Sequence, residues 1–282
     1  MKTVDLDFVR ELYPKRDEWA HKGDSGRVLI IGGSRRYRGA PALAGLAALR
    51  AGADIVTIAA PESAADIISG FSPNLITEPL EGDFLNPRDV QKALTLSKKF
   101  DSVILGPGIG RMSPTKEFVI RFLKEVAKPC VIDADAIHLV SEHKNALRKG
   151  FVVTPHAGEF YSLSGTEVGK NVKERGILAS KFSREFGCCI LLKGHVDVIA
   201  EGRNVIFNST GNPYMTVGGT GDVLSGICGA MLAMGMKPFQ AAAAAAYVSG
   251  RAGDLAADIL GPGLVATDVI ERIPKILKMV LG

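Results

Sequence analysis

The 282-residue sequence has no apolar stretch approaching the ~20 residues that a membrane-spanning helix needs. Its alanine-rich runs at 40–48 and 241–246 are broken by charge or glycine first, so a soluble protein with no membrane partner is expected. The N-terminus, MKTVDLDFVRELYPKRDEW, lacks the uninterrupted apolar core of a signal peptide and is expected to stay on the mature chain. The four cysteines, Cys130, Cys188, Cys189 and Cys228, show no CxxC spacing and fall in apolar runs. That favours core packing over disulfides or metal binding and points to a reducing cytoplasm. No low-complexity linker, internal repeat or composition shift marks a second domain. With 46% apolar content a single domain over 1–282 can bury a large core. Net charge is +4, but the densest basic groups are only Arg35, Arg36 and Arg38, and Lys170, Lys173 and Arg175. They read as solvated surface, and no nucleic-acid partner is expected.

Two common phosphate-binding fingerprints are missing as well. No G-x-x-x-x-G-K-[ST] occurs. Gly106-Pro107-Gly108-Ile109-Gly110 is followed by Arg111, lacks the third glycine of G-x-G-x-x-G, and sits mid-chain.

What is present is an alternation of short apolar runs and helical segments. Strands are expected at Arg27–Ile31, Asp54–Ala59, Ser102–Leu105, Pro129–Ile132 and Phe151–Thr154. Helices are expected over 5–13, 41–51, 61–69, 86–99, 114–127, 136–147, from 157 to 163, and over 171–186. Continuous rather than alternating apolarity fits strands covered on both faces, and helix-sized links fit parallel crossovers. After residue 186 the pattern changes to Cys189–Lys193, His195–Ala200, a Glu201-Gly202-Arg203 turn and Asn204–Phe207, an antiparallel hairpin at one sheet edge. The remainder, 222–234, 238–258 and 267–281, is helical, with Ala241–Ala246 allowing close helix packing. The fold class predicted is α/β: a three-layer α/β/α arrangement around a mostly parallel sheet.

In such sheets ligands bind beyond the carboxyl ends of the strands. Gly32-Gly33-Ser34, Gly106–Gly110, Asp133–Asp135 and Thr154–Glu159 all follow such ends. The richest stretch is VGGTGD, Val217–Asp222, leading into a helix. Its glycines let amides converge at a helix N-terminus, which favours an anion such as a transferring phosphate. Asp222 beside such an anion has a role as proton acceptor from an attacking hydroxyl, although a helix N-terminus is expected to stabilise its charged form and make it a weak base. Loose phosphoryl-transfer chemistry tolerates that. His156 is placed for ligand contact. Lys193-Gly194-His195 is placed to give charge to a phosphate, and Glu159, Asp133 or Asp135 to hold Mg²⁺ through water or to serve simply as helix N-terminal acids.

Seven blocks in order, HKGDSGRVLIIGGS (21–34), RGAPALAGLAALRAGADIVTIAAPE (38–62), ILGPGIG (104–110), VIDADA (131–136), VTPHAGE (153–159), LLKGH (191–195) and NSTGNPYMTVGGTGD (208–222), make the chain resemble the ADP- or ATP-dependent NAD(P)H-hydrate dehydratases of the ribokinase-like superfamily. The resemblance implies repair of NADH or NADPH whose ring has taken up water (NADHX, NADPHX): the nucleotide phosphorylates the ring hydroxyl, and loss of phosphate restores the cofactor. Carried over by motif, Asp222 is the base, and Gly219, Thr220 and Gly221 form the anion hole. Ala40, Gly108, Gly110 and His156 contact the hydrated cofactor together with Asp222. Lys193, Gly194, His195, Val196 and Asp197, with Gly221, hold the nucleotide, and Mg²⁺ bridges its phosphates. A homotetramer is implied too. Asp54, Ile137-His138 and Val217 depart from the usual pattern. The chain begins about two dozen residues before the first block, which is expected to leave no room for the epimerase domain some relatives carry. The alternatives are a ribokinase-like kinase of a thiazole or pyrimidine alcohol, and a non-catalytic adenine-nucleotide-binding protein.

Overall fold

Nine strands line up in one sheet of the computed structural model, which describes residues 1–282. In chain order they are β1 (Arg27–Ile31), β2 (Ile55–Pro61), β3 (Ile76–Leu80), β4 (Ser102–Leu105), β5 (Cys130–Ile132), β6 (Phe151–Val153), β7 (Cys189–Leu192), β8 (Asp197–Glu201) and β9 (Asn204–Asn208). Across the sheet the order is β3-β2-β1-β4-β5-β6-β7-β8-β9. Every pairing from β3 to β7 is parallel, and β7, β8 and β9 pair antiparallel. The edge hairpin turns at Gly202-Arg203, with Glu201 opposite Asn204.

Alternate residues of each parallel strand face opposite layers. Val28 and Ile30 of β1 pack into one apolar cluster, Leu29 and Ile31 into the other. The first cluster is shared with α1 (Leu6–Leu12), α2 (Gly39–Arg50), α3 (Glu62–Ser69), α9 (Thr220–Ala233), α10 (Pro238–Leu260) and α11 (Ala266–Leu281). The second is shared with α4 (Val90–Ser97), α5 (Ser113–Glu125), α6 (Asp135–Val140), α7 (Ala157–Ser164) and α8 (Val172–Phe186). The three-layer expectation therefore holds. Ala241–Ala246 are all buried, since α10 is surrounded by protein and small side chains let its neighbours approach.

Three elements differ from the sequence reading. Strand β3 was not anticipated, because Ile76-Thr77-Glu78-Pro79-Leu80 mixes charge and proline. As an edge strand it needs no donor from Pro79. The expected 86–99 helix opens as a 3-10 turn, Pro87–Asp89, capped by the Asn86 side chain, before α4 begins. The expected 136–147 helix stops at Val140, where the Ser141 hydroxyl donates back to His138 O at 2.7 Å. Lys144–Ala146 forms a separate 3-10 turn.

Successive strands leave β1 in opposite directions, β2 and β3 to one side and β4 onward to the other, so the strand order reverses between β1 and β4. The loops beyond them are laced together: Gly33 N donates to Pro107 O at 2.8 Å and Gly106 N to Ile31 O at 3.2 Å. A crevice at such a reversal is where a doubly wound sheet presents its ligand site.

Candidate active site

Helix α9 is anchored on the sheet by the buried Ser102 hydroxyl of β4, which donates to Gly229 O at 2.7 Å. This directs its N-terminus over the carboxyl ends of the strands. Gly219 caps it at φ 97, and a Cβ there would come within 2.6 Å of Leu43 and 2.9 Å of Ala266. The Thr220 hydroxyl donates back into the loop, 2.8 Å from Met215 O and 3.1 Å from Val217 O. It therefore fixes the loop, and what Thr220 offers an anion is its amide. The helix begins two residues earlier than expected, so Asp222 lies in its first turn and caps nothing.

Two cavities flank this N-terminus. One, of about 700 Å³, is lined by His156, Lys193, Gly194, His195, Asp197, the 210–213 loop, Thr220 and Gly221, and backed by α10 through Ala246, Ser249 and Gly250. The other, of about 770 Å³, lies at the β1/β4 reversal and is lined by Ser34–Tyr37, Ala40, Gly108–Met112, Ala134, Asp135 and Asp222. Gly221 and Asp222 are consecutive, yet they face different cavities. Ala40, Gly108, Gly110 and Asp222, expected together, do line one cavity; His156 lines the other. Lys193, Gly194, His195, Asp197 and Gly221 share the first, whereas Val196 is not in its lining.

His156 is occupied locally. Its Nδ1 accepts the amides of Gly158 at 3.0 Å and Glu159 at 3.2 Å, which caps α7, while Glu159 Oε2 accepts the His156 amide at 2.8 Å. Its Nε2 also lies 3.5 Å from Glu159 Oε1, so both ring nitrogens face the start of α7. Lys193 is also less free than expected. Its ammonium lies 3.1 Å from Asp133 and 3.6 Å from Glu159. Burial works against its charge, but those two carboxylates outweigh burial and hold its pKa above the usual lysine value. Asp133 is buried and also accepts the Thr154 hydroxyl at 2.6 Å.

Asp222 corrects the expectation of a weak, fully charged base. Burial first, then the charge of Asp133, push its pKa up to about 7; Lys193 opposes this, and Asp135 and Glu159 add to it. The helix N-terminus is outweighed by burial first and then by carboxylates that follow β5 and β6, far away in sequence.

The carboxylates expected near Mg²⁺ are each engaged with neighbouring protein groups. No group of three or more His, Cys, Asp or Glu side chains is placed to hold a metal. Glu159 is committed to the His156 amide and Lys193, and Asp133 to Thr154 and Lys193. Asp135 accepts Gly110 N at 3.0 Å and Arg111 Nε at 2.7 Å. No three of these side chains are arranged as a direct ligand set for Mg²⁺.

Comparison with known proteins decides the family. A family model described as NAD(P)H-hydrate dehydratase matches residues 28–275. The chain belongs to the NAD(P)H-hydrate dehydratase family. It is 45% identical over 275 residues to the bifunctional NAD(P)H-hydrate repair enzyme Nnr of Pyrobaculum aerophilum, covering 96% of this chain and 54% of that protein. The chain thus spans about half the length of the bifunctional relatives it matches. To the ADP-dependent (S)-NAD(P)H-hydrate dehydratase of Cenarchaeum symbiosum it is 39% identical over 281 residues, covering 98% of this chain and 97% of that one. Among solved structures, the ADP/ATP-dependent NAD(P)H-hydrate dehydratase of Bacillus subtilis, co-crystallized with ATP/Mg²⁺, superposes with a TM-score of 0.83 at 28% identity, over 99% of this chain and 98% of that one. The ribokinase-like fold of the family is thereby shown for this chain.

Sequence reasoning missed Arg175 and Asp254, which hold the walls of the first cavity, and it named Asp197 without its structural role. Arg175, read as surface charge, is buried; its Nη2 donates to Lys193 O at 2.9 Å and holds the Lys193-Gly194 turn. Asp197, beneath that turn, accepts Gly194 N at 2.9 Å and Asn208 Nδ2 at 3.1 Å, and burial pushes its pKa up to about 6 against those bonds. Asp254 of α10 holds the opposite rim, accepting Gly211 N and Asn212 Nδ2 at 3.3 Å each. Asp197 was named as a nucleotide contact and Asn208 opens the last matching block, whereas Arg175 and Asp254 carried no signal.

Proposed function

We propose that this protein is a nucleotide-dependent NAD(P)H-hydrate dehydratase, a carbon–oxygen lyase of cofactor repair with ADP as phosphoryl donor. The observation that carries the reading is the placement of Gly221 and Asp222, adjacent in the chain, on two different cavities that meet at one helix N-terminus. A nucleotide in the first cavity directs its terminal phosphate at the amides of Gly219, Thr220 and Gly221, which neutralise charge where it grows in a loose transition state. The hydrated dinucleotide fills the second cavity, with its ring hydroxyl toward Asp222. Asp222 takes the hydroxyl proton as the oxygen attacks phosphorus and AMP leaves. The phosphate then departs with the C–O bonding electrons, the neighbouring ring carbon gives up a proton, and the dihydropyridine is restored. A base titrating near 7 is well matched to this work at neutral pH.

Mg²⁺ bound with the nucleotide would supply counter-charge to the transferring phosphate. Lys193 is held by Asp133 and Glu159 against the wall shared with Gly221, whose Cβ, if present, would lie 3.6 Å from the ammonium. Cysteines that are all free and buried support a cytoplasmic setting, no helix is long and apolar enough to cross a membrane, and a homotetramer is the assembly proposed. The test is incubation of NADHX with ADP or ATP and Mg²⁺. Return of the dihydronicotinamide absorbance, with AMP and phosphate formed in step when ADP is the donor, is expected. A stable phosphoester product would replace this reading with a small-molecule kinase.

A further inference from the structure

Three arginines line the cavity at the β1/β4 reversal, and two of them are neutralised. Arg35 pairs with Asp83 at 3.0 Å and Arg111 with Asp135 at 2.7 Å. Arg36 has no carboxylate partner. Its guanidinium lies over the Tyr37 ring, 5.2 Å from the centroid, a contact that steadies the cation and leaves its donors free. The platform beneath it is fixed, because Tyr37 exchanges both backbone hydrogen bonds with Ser34 at 3.1 Å, and the Ser34 hydroxyl donates to Gly108 O at 2.9 Å.

The lining of the cavity differs in exposure: Asp222 and Asp135 are half-buried, while Arg36 is exposed, as are Tyr37 at 46% and Met112 at 53%. A dinucleotide whose ring hydroxyl meets half-buried Asp222 extends its adenosine end toward the exposed part of the lining, which includes Arg36. Aromatic and thioether surface there suits a base, and an unpaired planar guanidinium suits a phosphate monoester. We propose that Arg36 binds the ribose 2′-phosphate of the hydrated NADPH and so sets a preference for the phosphorylated dinucleotide. This rests on the dehydratase reading above.

The decisive experiment measures kcat/KM for both hydrates with wild type and Arg36→Ala, a surface change whose fold is checked by an unaltered melting curve. Loss of one charge-assisted contact is expected to lower the value for NADPHX about tenfold and leave that for NADHX unchanged. Equal losses on both substrates would place the guanidinium on a part common to the two dinucleotides and overturn the assignment, as would no loss on either. Titration of NADPH and NADH binding by their fluorescence gives the same comparison without turnover. Wild-type protein that repairs neither hydrate would sink the dehydratase reading, whereas repair of both with no discrimination by Arg36 would sink this inference alone.

Discussion

Replacing Asp222 by Asn should abolish turnover and at the same time stabilise the fold. The folded pKa of about 7 lies roughly three pH units above the ordinary carboxylate value of 3.8. A group whose pKa is raised on folding contributes stability below its unfolded value, and that contribution is lost as pH rises through the folded value. Between pH 4 and 7 the native protein thus gives up stability to charge Asp222 among Asp133, Asp135 and Glu159. At 1.36 kcal/mol per pH unit the full cost is about 4 kcal/mol, and water in the open cavity screens it to about 1–2 kcal/mol. Asn has the same shape and no charge, so at pH 8 the variant should melt a few degrees above wild type, and at pH 4 the two should coincide. The same raised pKa shapes activity: kcat/KM should climb through an acid limb near pH 7, with about one tenth of the plateau remaining one unit below it. Asp133→Asn removes the largest neighbouring negative charge and releases Lys193, and both changes move that limb to lower pH. An acid limb near pH 4 in wild type, or one indifferent to Asp133→Asn, would refute the electrostatic account, and a destabilised Asp222→Asn would refute its stability half.

Two further outcomes follow from the backbone around the site. Gly219→Ala combines a positive φ with contacts of 2.6 Å to Leu43 and 2.9 Å to Ala266. It should cost about 2–4 kcal/mol in urea unfolding, and a loss below about 1 kcal/mol would mean that the α9 cap is looser than described. Arg175→Met keeps the buried stem but takes the donor from Lys193 O; it should raise the KM for nucleotide several-fold and leave the KM for the hydrated dinucleotide unchanged, and equal effects on both would argue against a role confined to the first cavity.

Much of this molecule could be read from local pattern. The runs at 27–31, 102–105 and 189–192 announced buried strands by continuous apolarity, and the Gly202 turn announced the hairpin, because both signals are carried by neighbouring residues. Strand β3 escaped since an edge strand tolerates Glu78 and Pro79, which erase the pattern. At the site, residue types were legible and their electrostatics were not. Asp222 looked like a charged group at a helix N-terminus; its actual neighbours, Asp133, Asp135 and Glu159, are 63 to 89 positions away and are assembled only by the sheet. His156 looked free because nothing in Thr154–Glu159 says that the imidazole itself serves as the helix cap.

The division of the site by the first turn of α9 has a kinetic corollary. With nucleotide and dinucleotide in separate cavities, as proposed, either one could enter with the other absent, and phosphate would pass between them only while both are present. No side chain in the partition is offered as a covalent phosphate carrier. Double-reciprocal plots at varied fixed second substrate should therefore intersect rather than run parallel, and each substrate should protect its own chamber from chemical modification with no help from the other.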